Sequence, residues 1–107
     1  MFPRLQDVHK IVVIEDLNEN RVIGTGSLVI ERKFTRELGI CGHIEDIVVS
    51  ENYRGKNLGR RLIDVLKALA QANQCYKVIL DCAQTNIEFY KKCGFAQKEN
   101  QMALYLA

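Results

Sequence analysis

The sequence predicts a mixed α/β fold, α+β in its strand order: a central sheet that opens with an antiparallel hairpin, continues through a βαβ crossover and closes with a carboxy-terminal strand. Three observations carry that prediction. Two β-branched apolar runs flank a polar turn at residues 16–20, a strongly amphipathic stretch follows an apolar run at 44–49, and a further short apolar run at 76–81 comes after it. Strand, helix and strand in that order lay two strands parallel with a right-handed connection.

At 107 residues the chain has room for one compact domain and no second core. It is 48% hydrophobic and 26% charged with one Pro, a composition that builds an ordered core rather than a disordered coil. Fifteen basic residues are offset by 13 acidic ones, which argues against a nucleic-acid binder. Cys41, Cys75, Cys82 and Cys93 have no Cys-x-x-Cys spacing and lie in or beside apolar segments, the pattern of reduced structural thiols rather than a metal site. There is no apolar leader and no run of about 18 apolar residues, so a cytoplasmic protein without a membrane segment is expected.

Residues 11–15 form the first predicted strand. Asp16, Asn18 and Asn20 then supply side chains that bond to their own backbone in a turn, and residues 21–31 return as the second strand. Gly24 and Gly26 mark a bulge or a close backbone approach in it. Residues 32–42, charged and ending in Gly39 and Gly42, read as a loop that is either functional or a solvated connection. In the strand at 44–49, Glu45 and Asp46 are adjacent, and on a regular strand one of them would enter the core. A β-bulge resolves the conflict and frees backbone groups for a ligand; pairing of one acid with His43 or Lys33 is the other solution.

Leu58, Leu62, Val65, Leu66, Leu69 and Ala70 trace the apolar stripe of a helix over residues 57–72. The next strand is 76–81. A short helix follows, capped by Thr85 or Asn86, with Glu88 in its first turn, Lys91 and Lys92 in its last, and Gly94 closing it. Residues 101–106 read as the final strand.

The chemistry gathers where the first parallel strand meets the long helix. Arg54-Gly55-Lys56-Asn57-Leu58-Gly59 is too short for the Gly-x-x-x-x-Gly-Lys-Ser/Thr loop and lacks its hydroxyl for magnesium. It offers unpaired helix-start N–H groups together with Arg54, Lys56 and Arg60, which suits a pyrophosphate held without a metal. Tyr90 is either an amphipathic core tyrosine or a phenol aimed at the ends of the parallel strands, able to give a proton to a leaving group. Asp81 either caps a helix or acts as base or orienter for an amine. His43 has no orienting partner in the sequence.

Residues 54–61 resemble the Arg/Gln-x-x-Gly-x-Gly/Ala pyrophosphate motif of the GNAT superfamily of N-acetyltransferases. Gly42-His43-Ile44-Glu45-Asp46-Ile47, Cys75-Tyr76-Lys77-Val78-Ile79-Leu80-Asp81-Cys82 and Asn86-x-x-Phe89-Tyr90-x-Lys92-Cys93-Gly94-Phe95 extend the likeness to the branch that acetylates an amino-sugar phosphate. It covers essentially the whole chain, as a single GNAT domain over residues 1–107.

The resemblance implies acetyl-CoA as cosubstrate, no metal, and direct attack by the sugar amine on the thioester. Backbone of Ile47, Val48 and Val49 would hold the pantetheine arm; Arg54, Gly55, Lys56, Asn57, Leu58, Gly59 and Arg60 the pyrophosphate; Asn86, Tyr90, Lys91 and Lys92 further parts of the cofactor. Glu45, Asp46, Tyr76, Lys77 and Asp81 would line the acceptor pocket, with Lys33 and Arg36 for the sugar phosphate. Tyr90 would be the general acid and Asp81 would serve the amine. Another small amine as acceptor, or coenzyme A binding without transfer, are the alternative readings. The chain departs from the pattern at Asn57, which replaces a Gly, and at Met102-Ala103-Leu104-Tyr105-Leu106, which lacks the usual basic residue. Relatives also carry a strand and two helices ahead of the hairpin, so the domain is expected to be amino-terminally short, its sheet half-covered and its state a homodimer.

Overall fold

A computed structural model describes residues 8–32 and 39–106; Lys33 and Arg36 lie outside the described residues. Strand β1 (Val8–Asp16) pairs antiparallel with β2 (Arg21–Arg32), and β2 antiparallel with β3 (Ile40–Val49). Strand β4 (Lys77–Ile79) lies parallel to β3, giving the order β1-β2-β3-β4. Helix α1 (Leu58–Ala72) makes the crossover, and the short helix α2 (Ile87–Lys92) follows β4. The mixed α/β fold, its hairpin and its βαβ unit are as the sequence predicts.

Asp16 builds the hairpin turn as expected: its Oδ1 accepts from the N–H of Asn18 at 2.9 Å and of Glu19 at 3.3 Å. Strand β3 begins at Ile40, inside the segment that charge and glycine content mark as loop. Gly42 is there for proximity, not as a breaker. A Cβ on it would lie 3.0 Å from Leu28 Cδ1 and 3.4 Å from Cys75 Sγ, so a side chain here would press on the neighbours that close over the sheet.

Helix α1 presses Leu62, Ile63, Leu66 and Ala70 against Leu28, Ile30 and Ile44 of the sheet. Each large aliphatic side chain so buried contributes about 1.5–3 kcal/mol. Val65, on the stripe by periodicity, is 45% exposed; Ile63 takes that place in the core. Helix α2 joins through its end. Gly94, at φ +100°, closes a Schellman turn in which Gly94 N–H donates to Lys91 O and Phe95 N–H to Tyr90 O, both at 3.0 Å. Lys67 of α1 donates to Cys93 O at 2.6 Å, binding the two helices together.

Two expectations are corrected. The second parallel strand is three residues long, Lys77–Ile79, rather than reaching from 76 to 81, because β3 and the following chain part company after the last pair. Residues 101–106 form no strand. Met102, Leu104, Tyr105 and Leu106 stand 83–92% exposed, since no described neighbour offers them the backbone partners and covered face that a strand requires.

Leu66 is fully buried at the centre of the α1 contact. Leu66→Ala should lower unfolding free energy by about 2–5 kcal/mol, read as a drop in urea midpoint at constant m value.

Candidate active site

The parallel ladder pairs Cys41 with Lys77, Gly42 with Val78 and His43 with Ile79, and then stops. Strand β3 continues to Val49 bonded to β2 alone, while the chain beyond Ile79 turns away. The splay opens two adjoining clefts of about 280 Å³ each. Both are lined by Ile44, Glu45, Asp46, Leu80 and Asp81; the first adds His43 and Ile79, the second Ile47, Cys82, Ala83, Asn86 and Tyr90. Between Ser27–Glu45 and Thr25–Val48 the β3 side carries one residue more than the β2 side, which is the β-bulge expected from the adjacent acids. Asp46 takes φ +58°, and both carboxylates are exposed, so neither enters the core.

Gly26 makes room for this bulge. A Cβ there would lie 2.6 Å from Ile47 Cδ1 and 3.0 Å from Leu66 Cδ1. Ile47 crosses the sheet at Gly26, where β2 has no side chain in the way.

Tyr90 is half-buried, set edge-on against Phe89 at 5.0 Å and Phe95 at 6.1 Å between ring centroids. Burial pushes its phenol above the ordinary tyrosine range, with Cys82 and Cys93 adding to the rise, so it is protonated at neutral pH. Asn86 sits at the N-cap of α2 without a side-chain cap hydrogen bond and lines the second cleft. Burial likewise raises the Cys93 thiol, which is a packed core group and a poor nucleophile.

Just past the carboxyl end of β3, Ser50 N–H is anchored to Ile23 O at 2.7 Å and a 3₁₀ turn (Glu51–Tyr53) leads into the basic loop. Gly55 adopts φ +84° with open space around it. Asn57, at φ +60°, precedes α1 in the left-handed region. That is why a non-glycine is tolerated: Asn pays little for this conformation. Arg61 N–H donates to Asn57 O, and the N–H groups of Leu58, Gly59 and Arg60 precede the first intrahelical bond. Arg54 and Lys56 are exposed, Lys56 Nζ lying 5.6 Å over the Tyr53 ring, and Arg60 Nε reaches Asp64 Oδ1 at 3.4 Å.

The described chain does not gather every expected residue. Tyr76 and Lys77 stand together at the amino end of β4, Lys77 Nζ 5.6 Å over the Tyr76 ring, whereas the clefts lie at the carboxyl end with Asp81. The expected shared pocket is therefore not formed by Tyr76, Lys77 and Asp81 within one chain. Lys91 pairs with Glu88 at 3.5 Å, and neither it nor Lys92 lines a cleft. Val48 and Val49 pair with Thr25 and Gly24 of β2, Val48 being exposed on its outer side.

Sequence reasoning missed two contacts. His43 has an orienting partner after all: Glu31 Oε1 lies 2.8 Å from its Nε2, across the β2–β3 ladder and two residues along it. Tyr53 donates a 2.6 Å hydrogen bond to Asp16 Oδ2. Hairpin register, which pairs residues 31 and 41, is the signal that finds the first; nothing local marks the second. Among the described residues no cluster of His, Cys, Asp or Glu has the makings of a metal site, and no helix is long and apolar enough to cross a membrane.

A strand-and-helix cleft of this kind, with a glycine-containing basic loop at the crossover, is the arrangement that the resemblance to the GNAT superfamily implies. Residues 2–95 match the Acetyltransferase (GNAT) family, and the chain belongs to that family, whose members use acetyl-CoA as acyl donor. The chain is 52% identical over 100 residues to glucosamine 6-phosphate N-acetyltransferase 1 of Dictyostelium discoideum, covering 94% of this chain and 64% of that one. It is 45% identical over 95 residues to the Schizosaccharomyces pombe glucosamine 6-phosphate N-acetyltransferase, covering 89% and 86%. The crystal structure of the Arabidopsis thaliana glucosamine-6-phosphate N-acetyltransferase superposes with a TM-score of 0.89 at 45% identity, over 92% of this chain and 67% of that one. The chain spans 64% and 66% of the length of the Dictyostelium and Arabidopsis curated relatives.

Tyrosinate absorbance titrated in the unaltered chain and in Tyr90→Phe should differ by one phenol with a midpoint above the usual value of about 10. A difference midpoint at or below that value means that the ring is not desolvated.

Proposed function

We propose that this chain transfers the acetyl group of acetyl-CoA to the 2-amine of D-glucosamine 6-phosphate, giving N-acetylglucosamine 6-phosphate and coenzyme A, a step of UDP-N-acetylglucosamine synthesis. The observation that carries the reading is the cleft between β3 and β4, which is lined by three carboxylates, Glu45, Asp46 and Asp81, together with a half-buried, protonated phenol. Relatives bearing that activity in their names, 45–52% identical over most of the chain, support it.

Backbone of Ile47, Val48 and Val49 on the β4 side has no ladder partner there and is assigned to the pantetheine arm, in the manner of an added strand. The Arg54, Gly55, Lys56, Asn57, Leu58, Gly59 and Arg60 loop takes the pyrophosphate on helix-start amides and basic side chains. Glu45, Asp46 and Asp81 hold the amine and accept its proton. As the amine nitrogen bonds to the acyl carbon and the carbon–sulfur bond breaks, Tyr90 gives its proton to the departing thiolate; amides near Ile47 and Val48 polarise the carbonyl oxygen. No acyl group passes through the enzyme. Asn86 contacts the donor beside Tyr90. Lys33 and Arg36 are assigned to the sugar phosphate, joined by Tyr76 and Lys77 from the amino end of β4 in the assembled protein.

That assembly is proposed to be a cytoplasmic homodimer. Residues 101–106 display four large apolar side chains, and Ile11 and Val13 of β1 are 64% and 54% exposed, more apolar surface than an isolated small domain keeps in water. Sedimentation equilibrium should return a dimer, and deletion of residues 101–107 should move it toward monomer.

Release of free thiol from acetyl-CoA should require glucosamine 6-phosphate and fail with unphosphorylated glucosamine. Tyr90→Phe should lower kcat about 100-fold with little change in KM for acetyl-CoA. Equal losses in kcat and cofactor affinity would remove the proton-donor role, and thiol release indifferent to the sugar would remove the acceptor.

A further inference from the structure

The turn at residues 16–20 and the loop at 51–57 meet at one end of the sheet, where Val49 pairs with Gly24 and Ser50 N–H donates to Ile23 O, and one short side-chain hydrogen bond joins them. Tyr53 Oη donates to Asp16 Oδ2 at 2.6 Å. The other oxygen of that carboxylate is already engaged, accepting from Asn18 and Glu19 N–H, so Asp16 is held rigidly by the turn that it organises. The phenol hydrogen bond keeps the Asp16 carboxyl below the usual carboxylate range, with the two backbone N–H groups and the nearby Lys56 acting in the same direction and burial opposing them. Tyr53 N–H also donates to Ser50 O at 2.9 Å, and its ring lies beneath Lys56. Immediately after it come Arg54 and Gly55, the latter at φ +84° with nothing within 4 Å of a Cβ. The loop thus has little packing of its own to define it.

Neither Asp16 nor Tyr53 belongs to the apolar cluster beneath α1. Their bond is made at the periphery, where a contribution to core stability is small and a contribution to loop geometry is direct. An anion site built of backbone amides and mobile basic side chains loses affinity when the ligand itself has to order the loop.

We infer that Asp16 and Tyr53 are positioning residues for the acyl donor: their hydrogen bond sets the conformation of the 54–57 loop and seats Lys56, so that the pyrophosphate meets a preformed cradle. The inference rests on the acetyl-CoA reading above. It extends the donor site to the hairpin turn, which touches none of the groups assigned to catalysis.

Tyr53→Phe removes the hydrogen bond and keeps the ring under Lys56; Asp16→Asn keeps an oxygen for the turn and removes the charge. Calorimetric titration with coenzyme A should show each substitution weakening binding roughly 3- to 10-fold, with the double variant no worse than either single one. In turnover, KM for acetyl-CoA should rise by the same factor at unchanged kcat, and the rate with S-acetylpantetheine, which has no pyrophosphate, should not move. Unchanged coenzyme A affinity, additive losses in the double variant, or an equal loss with S-acetylpantetheine each overturns the inference. A chain that binds coenzyme A but transfers nothing to the amino sugar defeats the transferase reading while leaving the affinity comparison decisive. A chain that does not bind coenzyme A overturns the positioning role as well.

Discussion

The site depends on a ladder that ends early. Three residue pairs hold β3 to β4, and past His43 and Ile79 the two chains separate. A fully paired parallel sheet would close the space and use the amides of residues 44–49 in the ladder. Separation leaves those on the β4 side facing a cleft instead, with side chains from both walls converging at the carboxyl ends of the strands, where α/β folds place their ligands. The bulge at Glu45 and Asp46 is the matching adjustment on the other side of β3: it lets the strand remain bonded to β2 while both acids turn outward and Ile47 drops over Gly26.

Helix α1 is what makes the separation stable. It packs across β2 and β3 through Leu62, Ile63, Leu66 and Ala70, so the sheet keeps its core although its fourth strand is short. The same helix starts at the basic loop and is tied near its middle, through Lys67, to the end of α2. One element therefore carries the free helix-start amides, much of the hydrophobic core and the support for the helix that bears Tyr90.

Much of this was legible in the sequence because the signals were local. The period of α1, the Asx turn at Asp16, the closing Gly94 and the adjacency of Glu45 and Asp46 each follow from residue chemistry within a few positions. The start of β3 was not legible, because Gly42 looks like a breaker until Leu28 and Cys75 are seen pressing on it. The Glu31–His43 and Asp16–Tyr53 bonds join residues 12 and 37 positions apart and leave no mark on either segment. Residues 101–106 carry the pattern of an apolar, strand-forming run but form no strand here, since that pattern records what they are suited to pair with, not whether a partner lies in the same chain. The resemblance groups Tyr76 and Lys77 with Asp81, but on an extended strand a few residues are enough to put them at opposite ends.

The brevity of β4 also sets where the molecule loosens. Amide hydrogens in the middle of β2, paired on both sides and capped by α1, exchange with solvent only when the domain as a whole comes apart. Those of Lys77, Val78 and Ile79 sit on an edge with a single neighbour and are reached by partial opening. One wall of the cleft is thus governed by local free energy and the other by the global value, so it is the β4 wall that can give way to admit a bulky ligand while the rest of the sheet stays closed.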